Sequence, residues 1–174
     1  MTPPQPKSTT NRILIIGASG LLGQGVARQL RTEGWTVRVM GRTEEKLRQL
    51  FTDPFERVPG DAEREVDLVR AVAGCQAVHV SVANIPDWHL ERRVLEMLLP
   101  IAERAGVQRI GYVSGASVHP DRSDFAMIAA KVRCEALLQE SPLETLIFRP
   151  TMFFETLPMM VRDGKAMVFG QQPQ

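Results

Sequence analysis

Apolar and polar positions along this chain switch repeatedly between two periods. Arg12-Ile-Leu-Ile-Ile16 is an apolar run of strand length that breaks at Gly17. Beyond the break, Leu22, Val26 and Leu30 recur at helical spacing. Strand, glycine turn and amphipathic helix therefore follow in order. The alternation then repeats. Residues 36–40 predict a second strand, entered through Gly34, which suits the end of a helix. Residues 43–51 predict a helix with Thr43 as N-cap and acids in its first turn. Residues 55–58 predict a short third strand ending at Pro59-Gly60-Asp61, and residues 63–73 a helix stopped by Gly74. Residues 76–82 are nearly all apolar, as a central parallel strand should be.

Residues 87–104 predict a long helix ended by Gly106, and its outer face could serve as a pairing surface for a homo-oligomer. Pro100 inside it either kinks the helix or divides it in two. Residues 109–113 give a fifth strand, 123–140 a helix and 143–148 a sixth strand. Residues 153–162 read as helical and 166–169 as a short strand. Strands alternating with helices imply a doubly wound parallel α/β sheet, order 3-2-1-4-5-6, covered on both faces.

The chain has 174 residues, a length suited to one domain with a substantial core. That domain is expected over residues 12–170, with a polar, proline-rich tail at 1–11 and a short tail at 171–174. The N-terminal tail lacks the apolar core of a signal peptide, and no apolar stretch is of bilayer length. Lys and Arg number 21 against 20 Asp and Glu, and the two signs are interspersed. No basic stripe points to nucleic acid or a membrane surface. Cys75 and Cys134 fit neither a metal spacing nor a disulfide framework, so a reducing cytoplasm and no metal are expected.

The chemistry concentrates at Gly17-Ala-Ser-Gly20-Leu-Leu-Gly23. Gly17 permits the tight turn, because a residue without Cβ reaches dihedrals closed to others. Gly20 leaves room for a pyrophosphate beside the backbone, and Gly23 lets the helix approach the strand. The helix N-terminus then offers unpaired N–H groups and a positive dipole end to phosphates. Strand and helix on either side supply the context this motif needs. The spacing is Gly-x-x-Gly-x-x-Gly, and a glycine turn without a ligand is the other reading.

An acid at the end of the second strand would hydrogen-bond a ribose 2′-OH and repel a 2′-phosphate. Gly41-Arg42 stands there instead, with Lys46 one turn on. A guanidinium fork suits phosphate and favours NADP(H) over NAD(H). Glu44 and Glu45 pull the other way, and an ordinary surface arginine is the alternative. Asp61 falls where an adenine edge would lie, or else caps the next helix. Asn84, past the fourth strand, is a ligand contact or a turn residue. Tyr112, the sole tyrosine, shares a sheet face with Ser114, where core packing is its main reading. His119 is a proton relay or a solvated loop residue.

In order along the chain, the glycine pattern at 17–23, Gly41-Arg42, Gly60-Asp61, the 105–114 segment, Lys131 with Glu135, and Arg149-Pro150 resemble atypical short-chain dehydrogenases, in particular the NmrA-like NAD(P)-binding branch. The resemblance runs from Arg12 to Gly170. It implies that Ser114 is the serine after the fifth strand and Lys131 the lysine that holds the nicotinamide ribose. The tyrosine that serves such enzymes as acid and base would stand four residues before that lysine, where this chain has Met127. A thioether exchanges no proton. In isoflavone-reductase-like relatives the lysine itself is the acid/base, and Lys131-Val-Arg133-Cys-Glu135 resembles their arrangement.

The candidate catalytic residues are therefore Lys131 and Ser114. The candidate cofactor contacts are Gly17, Ser19, Gly20, Leu21, Leu22, Gly23, Arg42, Asp61, Ala62, Asn84, Lys131 and Pro150. Met152, Phe153, Phe154, Leu157, Met159 and Met160 form an apolar stripe that packs in the core or borders a substrate pocket. Proteins of this group usually continue into a C-terminal portion that completes the pocket. That portion is expected to be largely missing here, leaving the site open to water unless a second chain closes it. Two functions are implied: a reductase acting on an unassigned small molecule, with Lys131 as proton donor, or a non-catalytic NADP(H) sensor or assembly protein.

Overall fold

The computed structural model describes residues 11–82, 87–162 and 164–166. Expectations for residues 1–10, Asn84, 167–170 and the tail at 171–174 lie outside the described residues. Six parallel strands form one sheet in the order β3-β2-β1-β4-β5-β6. They are β1 (Arg12–Ile16), β2 (Thr36–Gly41), β3 (Glu56–Pro59), β4 (Ala77–Val80), β5 (Arg109–Val113) and β6 (Glu144–Phe148). The helices between them are α1 (Leu21–Thr32), α2 (Glu44–Leu50), α3 (Glu65–Val72), α4 (Leu90–Arg104) and α5 (Ala126–Gln139). A two-residue antiparallel ribbon, β7 (Val161–Arg162) with β8 (Lys165–Ala166), comes after β6.

Period-two alternation explains how the core divides. Leu14 and Ile16 of β1 point into one cluster with Leu68, Val78, Leu95, Leu98 and Ile110, under α3, α4 and α5. Ile13 and Ile15 point the other way, with Val37, Val39, Leu47 and Phe51 under α1 and α2. A strand apolar on both faces needs cover on both, and β1 has it. The second face is not covered along its full width, however. Ala77 and His79 of β4 are still buried on that face, at 4% and 7% exposed, but at the β6 edge Leu146 and Phe148 stand about half exposed, at 46% and 51%. The expectation of a sheet covered on both faces is thus met across β4 and not at the β6 edge.

Several boundaries differ from the sequence reading for local reasons. α4 runs unbroken through Pro100, so the divided alternative falls. It begins at Leu90 because Asp87 stays outside, where its carboxylate accepts from His89 N at 3.1 Å and pairs with Arg93 at 2.6 Å. The helix expected from residue 123 starts at Ala126, after a separate 3₁₀ turn over Pro120–Arg122. The segment expected to be helical from 153 is a 3₁₀ turn, Phe154–Met160, with Pro158 inside it. Thr43 occupies the N-cap of α2 but makes no side-chain cap bond.

His79 is the buried polar exception on β4. It is 7% exposed, its Nε2 has no hydrogen-bond partner among the described residues, and it meets the Phe148 ring edge-on at 6.2 Å. Burial lowers its pKa from 6.5 to about 4. The unfolded chain therefore takes up a proton that the folded one refuses. Its stabilising effect is full above pH 6.5 and declines as pH falls toward 4. Chemical unfolding at a series of pH values should show a loss of about 1.4 kcal/mol per pH unit in this window. A His79→Leu variant should lack that component of the slope.

Candidate functional site

The carboxyl ends of the strands meet the N-terminus of α1 in a tight crossover. Gly17 has φ +82°, and a Cβ there would lie 2.4 Å from the Ser81 carbonyl oxygen. Gly20 is the N-cap of α1 and supplies no side-chain cap. The first-turn N–H groups of α1 therefore face the opening without an intrahelical acceptor. A Cβ on Gly23 would sit 2.2 Å from Gly17 O and 2.8 Å from the Ala18 Cα. That position is glycine because helix and strand touch backbone to backbone. The three glycines thus shape a cradle that side chains would fill, which fits a diphosphate.

A groove of about 510 Å³ opens above this cradle. Gly17, Ser19, Gly20, Leu21 and Leu22 line it from β1 and α1, Arg42 from β2, and Asp61 and Ala62 from β3. Gly23 lies behind this lining. Lys46 and Phe153, both singled out in the sequence, line it too, while sequence reasoning missed Met40, Glu63, Leu90, Val94 and Thr156. Phe153 and Thr156 arrive by way of the 3₁₀ turn after β6, and for Phe153 this agrees with the reading that its apolar stripe borders a pocket.

Charges on the β2 lip are sorted by their partners. Arg42 is exposed, and neither it nor Lys46 makes an ion pair or side-chain hydrogen bond with the described residues. Glu44 and Glu45, which could have opposed an anion, are turned along α2 instead. Glu44 pairs with Arg48 at 2.5 Å, and Glu45 accepts from Gln49 at 2.8 Å. Asp61 shows the capping geometry while also facing the groove. Its Oδ1 accepts from Glu63 N at 3.0 Å, and its own N donates to Asp67 Oδ2 at 3.0 Å.

Beyond β5 and β6 the structure builds two polar clusters. In the first, the Ser114 hydroxyl donates to Glu135 Oε1 at 2.5 Å. Arg149 donates to the same carboxylate through Nε at 3.0 Å and through its terminal nitrogen. Burial alone would push the Glu135 carboxyl up, but the bonds from Arg149 and Ser114 and the charges of Arg149 and Lys131 hold it below its ordinary value. In the second cluster, Lys131 Nζ meets Glu91 Oε2 at 2.8 Å and Oε1 at 3.1 Å, and Val113 O at 3.1 Å. The Tyr112 hydroxyl donates to the same Glu91 carboxylate. Tyr112 is 1% exposed, and burial followed by the Glu91 charge hold its hydroxyl firmly protonated. Its core-packing reading stands, with a buried hydroxyl engaged on Glu91.

Neither Ser114 nor Lys131 is among the residues lining the groove. Met127 is exposed in the first turn of α5, one turn before Lys131. His119 is exposed, and its Nδ1 accepts from Asp121 N at 3.3 Å. Pro150 lies in the wall of a second, largely apolar cavity of about 1030 Å³ between α1 and the β4-β5-β6 side of the sheet, and Phe153 lines both cavities. Pro150 O accepts from Ala116 N at 2.8 Å, which joins the loops after β5 and β6. Among the described residues no cluster of His, Cys, Asp or Glu could hold a metal, and no helix is long and apolar enough to cross a membrane.

Comparison with known proteins decides the family. Residues 17–164 match the family described as NAD(P)H-binding. The chain belongs to that NAD(P)H-binding family. It is 25% identical to the NAD(P)H azoreductase of Xenophilus azovorans over 84% of this chain and 50% of that protein. It is 25% identical to the photosystem II assembly factor Ycf39 of Cyanophora paradoxa over 83% of this chain and 46% of that protein. The fold superposes with a TM-score of 0.71 on the Citrobacter sp. triphenylmethane reductase complexed with NADP(H). That match is 21% identical and covers 86% of this chain and 54% of the other. The chain thus spans about half the length, or less, of the curated relatives it matches. The same fold is found in a short-chain dehydrogenase/reductase superfamily protein of Agrobacterium tumefaciens, 26% identical with a TM-score of 0.65 over 79% of this chain and 48% of that one.

Proposed function

We propose that this member of the NAD(P)H-binding family holds NADP(H) in preference to NAD(H), in a reductase-type site without the usual tyrosine proton donor. One observation carries the cofactor preference. Among the described residues Arg42 and Lys46 are unpaired at the groove lip, while Glu44 and Glu45 are tied to Arg48 and Gln49. A 2′-phosphate there would meet two cations, with the carboxylates of α2 turned away from it. Gly17, Ser19, Gly20, Leu21, Leu22 and Gly23 would shape the diphosphate cradle, with Asp61 and Ala62 beside the adenine. Asn84, Lys131 and Pro150 would border the nicotinamide end. A bound dinucleotide would supply hydride-transfer chemistry. Free, buried Cys75 and Cys134 support a reducing, cytoplasm-like setting for it.

The chain's own groups limit the proton chemistry open to such a site. Ser114 already gives its proton to Glu135, so it orients a substrate oxygen only by accepting or by releasing that bond. Lys131 commits its N–H groups to Glu91 and Val113 O, so none is free to point at a substrate without breaking one of these bonds. With Met127 a turn away, no unengaged proton donor stands on this edge among the residues expected to act. This observation favours a second reading, a regulatory or assembly protein that exchanges a protein partner or a second copy with nucleotide state. The relation to an assembly factor supports it.

Calorimetry with NADP⁺, NADPH, NAD⁺ and NADH tests the first reading. The phosphorylated pair should bind at least about tenfold more tightly, the effect of one charge-assisted contact. Equal affinity for NAD(H) would refute the role given to Arg42. NADPH consumption over azo compounds, quinones and carbonyls separates the two functions. Turnover abolished by Lys131→Met establishes the reductase, and its absence with tight binding leaves the regulatory protein.

A further inference from the structure

Glu91 and Lys131 form a charge pair directly behind the groove wall. Glu91 lies in the first turn of α4 between Leu90 and Val94, both of which line the groove. Its side chain turns away from the opening toward β5, where it takes the Lys131 ammonium at 2.8 and 3.1 Å and the Tyr112 hydroxyl. Lys131 Nζ also lies 5.2 Å from the centre of the Tyr112 ring. The two side chains are only 18% and 11% exposed, so solvent screens the pair weakly. Charges in such contact cancel at a distance. The groove feels a dipole, whose field decays faster than that of a single ion.

That cancellation matters for a ligand whose two forms differ by one charge. An oxidised nicotinamide ring is a cation and a reduced one is neutral. A lone ammonium behind the groove would favour the reduced form, and a lone carboxylate the oxidised form. We propose that Glu91 is a positioning residue that neutralises Lys131 and so sets the redox preference of the groove, which then holds oxidised and reduced dinucleotide with similar affinity. This rests on the reading that the groove takes a nicotinamide dinucleotide with its ring toward β5 and β6. It goes beyond that reading by assigning a function to a side chain that touches neither the ligand nor the groove.

The test is calorimetric titration of NADP⁺ and NADPH into the wild-type chain, Glu91→Gln, and Glu91→Gln combined with Lys131→Met. The wild type should hold the two forms within about threefold. Glutamine keeps the shape and leaves an acceptor for Tyr112, but removes the counter-charge. Affinity for NADP⁺ should then fall about fivefold relative to NADPH, on the order expected of one unit charge across a partly screened interior. The double variant carries no net charge at the pair, and its ratio should return to the wild-type value. A merely structural Glu91 would weaken both forms equally and keep its effect in the double variant. Either that pattern or an unchanged ratio in Glu91→Gln overturns the proposal. Should Glu91→Gln fail to fold, Lys131→Met decides alone: the ratio moves toward NADP⁺ or the proposal is wrong. A wild type that binds neither dinucleotide is a separate failure, which removes the groove reading itself.

Discussion

Gly17→Ala is expected to abolish detectable dinucleotide binding and to lower stability by about 2–4 kcal/mol, as the strain and clash terms combine. Two independent constraints act at this position. The backbone has φ +82°, a region that L side chains rarely adopt. The new Cβ would also lie 2.4 Å from Ser81 O and 2.7 Å from Ser81 C, both backbone atoms that cannot turn aside. Ser81 N in turn donates to Ile16 O at 3.0 Å, so moving Ser81 means opening β1 from β4 at the crevice. The crossover that holds the first-turn N–H groups in place would be lost with it. Gly25→Ala is the control, because a Cβ there meets nothing within 4 Å. Lying within α1, that substitution should stabilise the chain by about 0.5–1 kcal/mol. Denaturant unfolding and calorimetry on both variants check the pair. A Gly17→Ala chain with native stability and intact binding would remove the geometric basis of the cradle.

The first crossover is legible in the sequence because its constraints are local. Spacing alone indicates that residues 17, 20 and 23 lack side chains for steric reasons, and a Cβ on Gly23 would indeed strike Gly17 O. The strand order follows from the regular alternation of strands and helices, since parallel strands need a crossover between them. Glu91 escapes sequence reading, although a signal exists. Positions 91, 94, 95, 98, 101 and 102 form the buried stripe of α4, so a carboxylate occupies a core-facing position. Beside Arg92 and Arg93 it resembles part of a solvated charge cluster. Lys131 stands out by its place after the fifth strand, but its ion pair joins residues 40 apart and has no trace in local pattern. The exposed face of β6 is invisible for a related reason. Leu146 and Phe148 alternate as any strand of a buried sheet does, and periodicity does not say what lies above a face.

Arg42→Ala should weaken NADP⁺ and NADPH binding about 10- to 100-fold while changing NAD⁺ and NADH less than about threefold, the range of a hydrogen-bonded charge contact. The asymmetry comes from where the guanidinium stands. Arg42 comes off the end of β2 at the groove lip, away from the cradle formed by Gly17 and Gly20, so its loss leaves the diphosphate contacts intact. Lys46→Ala should cost less, because an ammonium one turn into α2 acts as a point charge without the bidentate fork. Added salt should erode the NADP(H) advantage of the wild type, since Arg42 is exposed and its field is screened within about a Debye length. Arg42→Asp tests the same geometry with the sign reversed. A carboxylate at the end of β2 would accept from a ribose 2′-OH and repel a 2′-phosphate, so selectivity should invert toward NAD(H). If titrations showed both cofactor pairs weakened equally by Arg42→Ala, the arginine would be supporting the loop rather than reading the phosphate, and the preference would have to arise elsewhere on the groove.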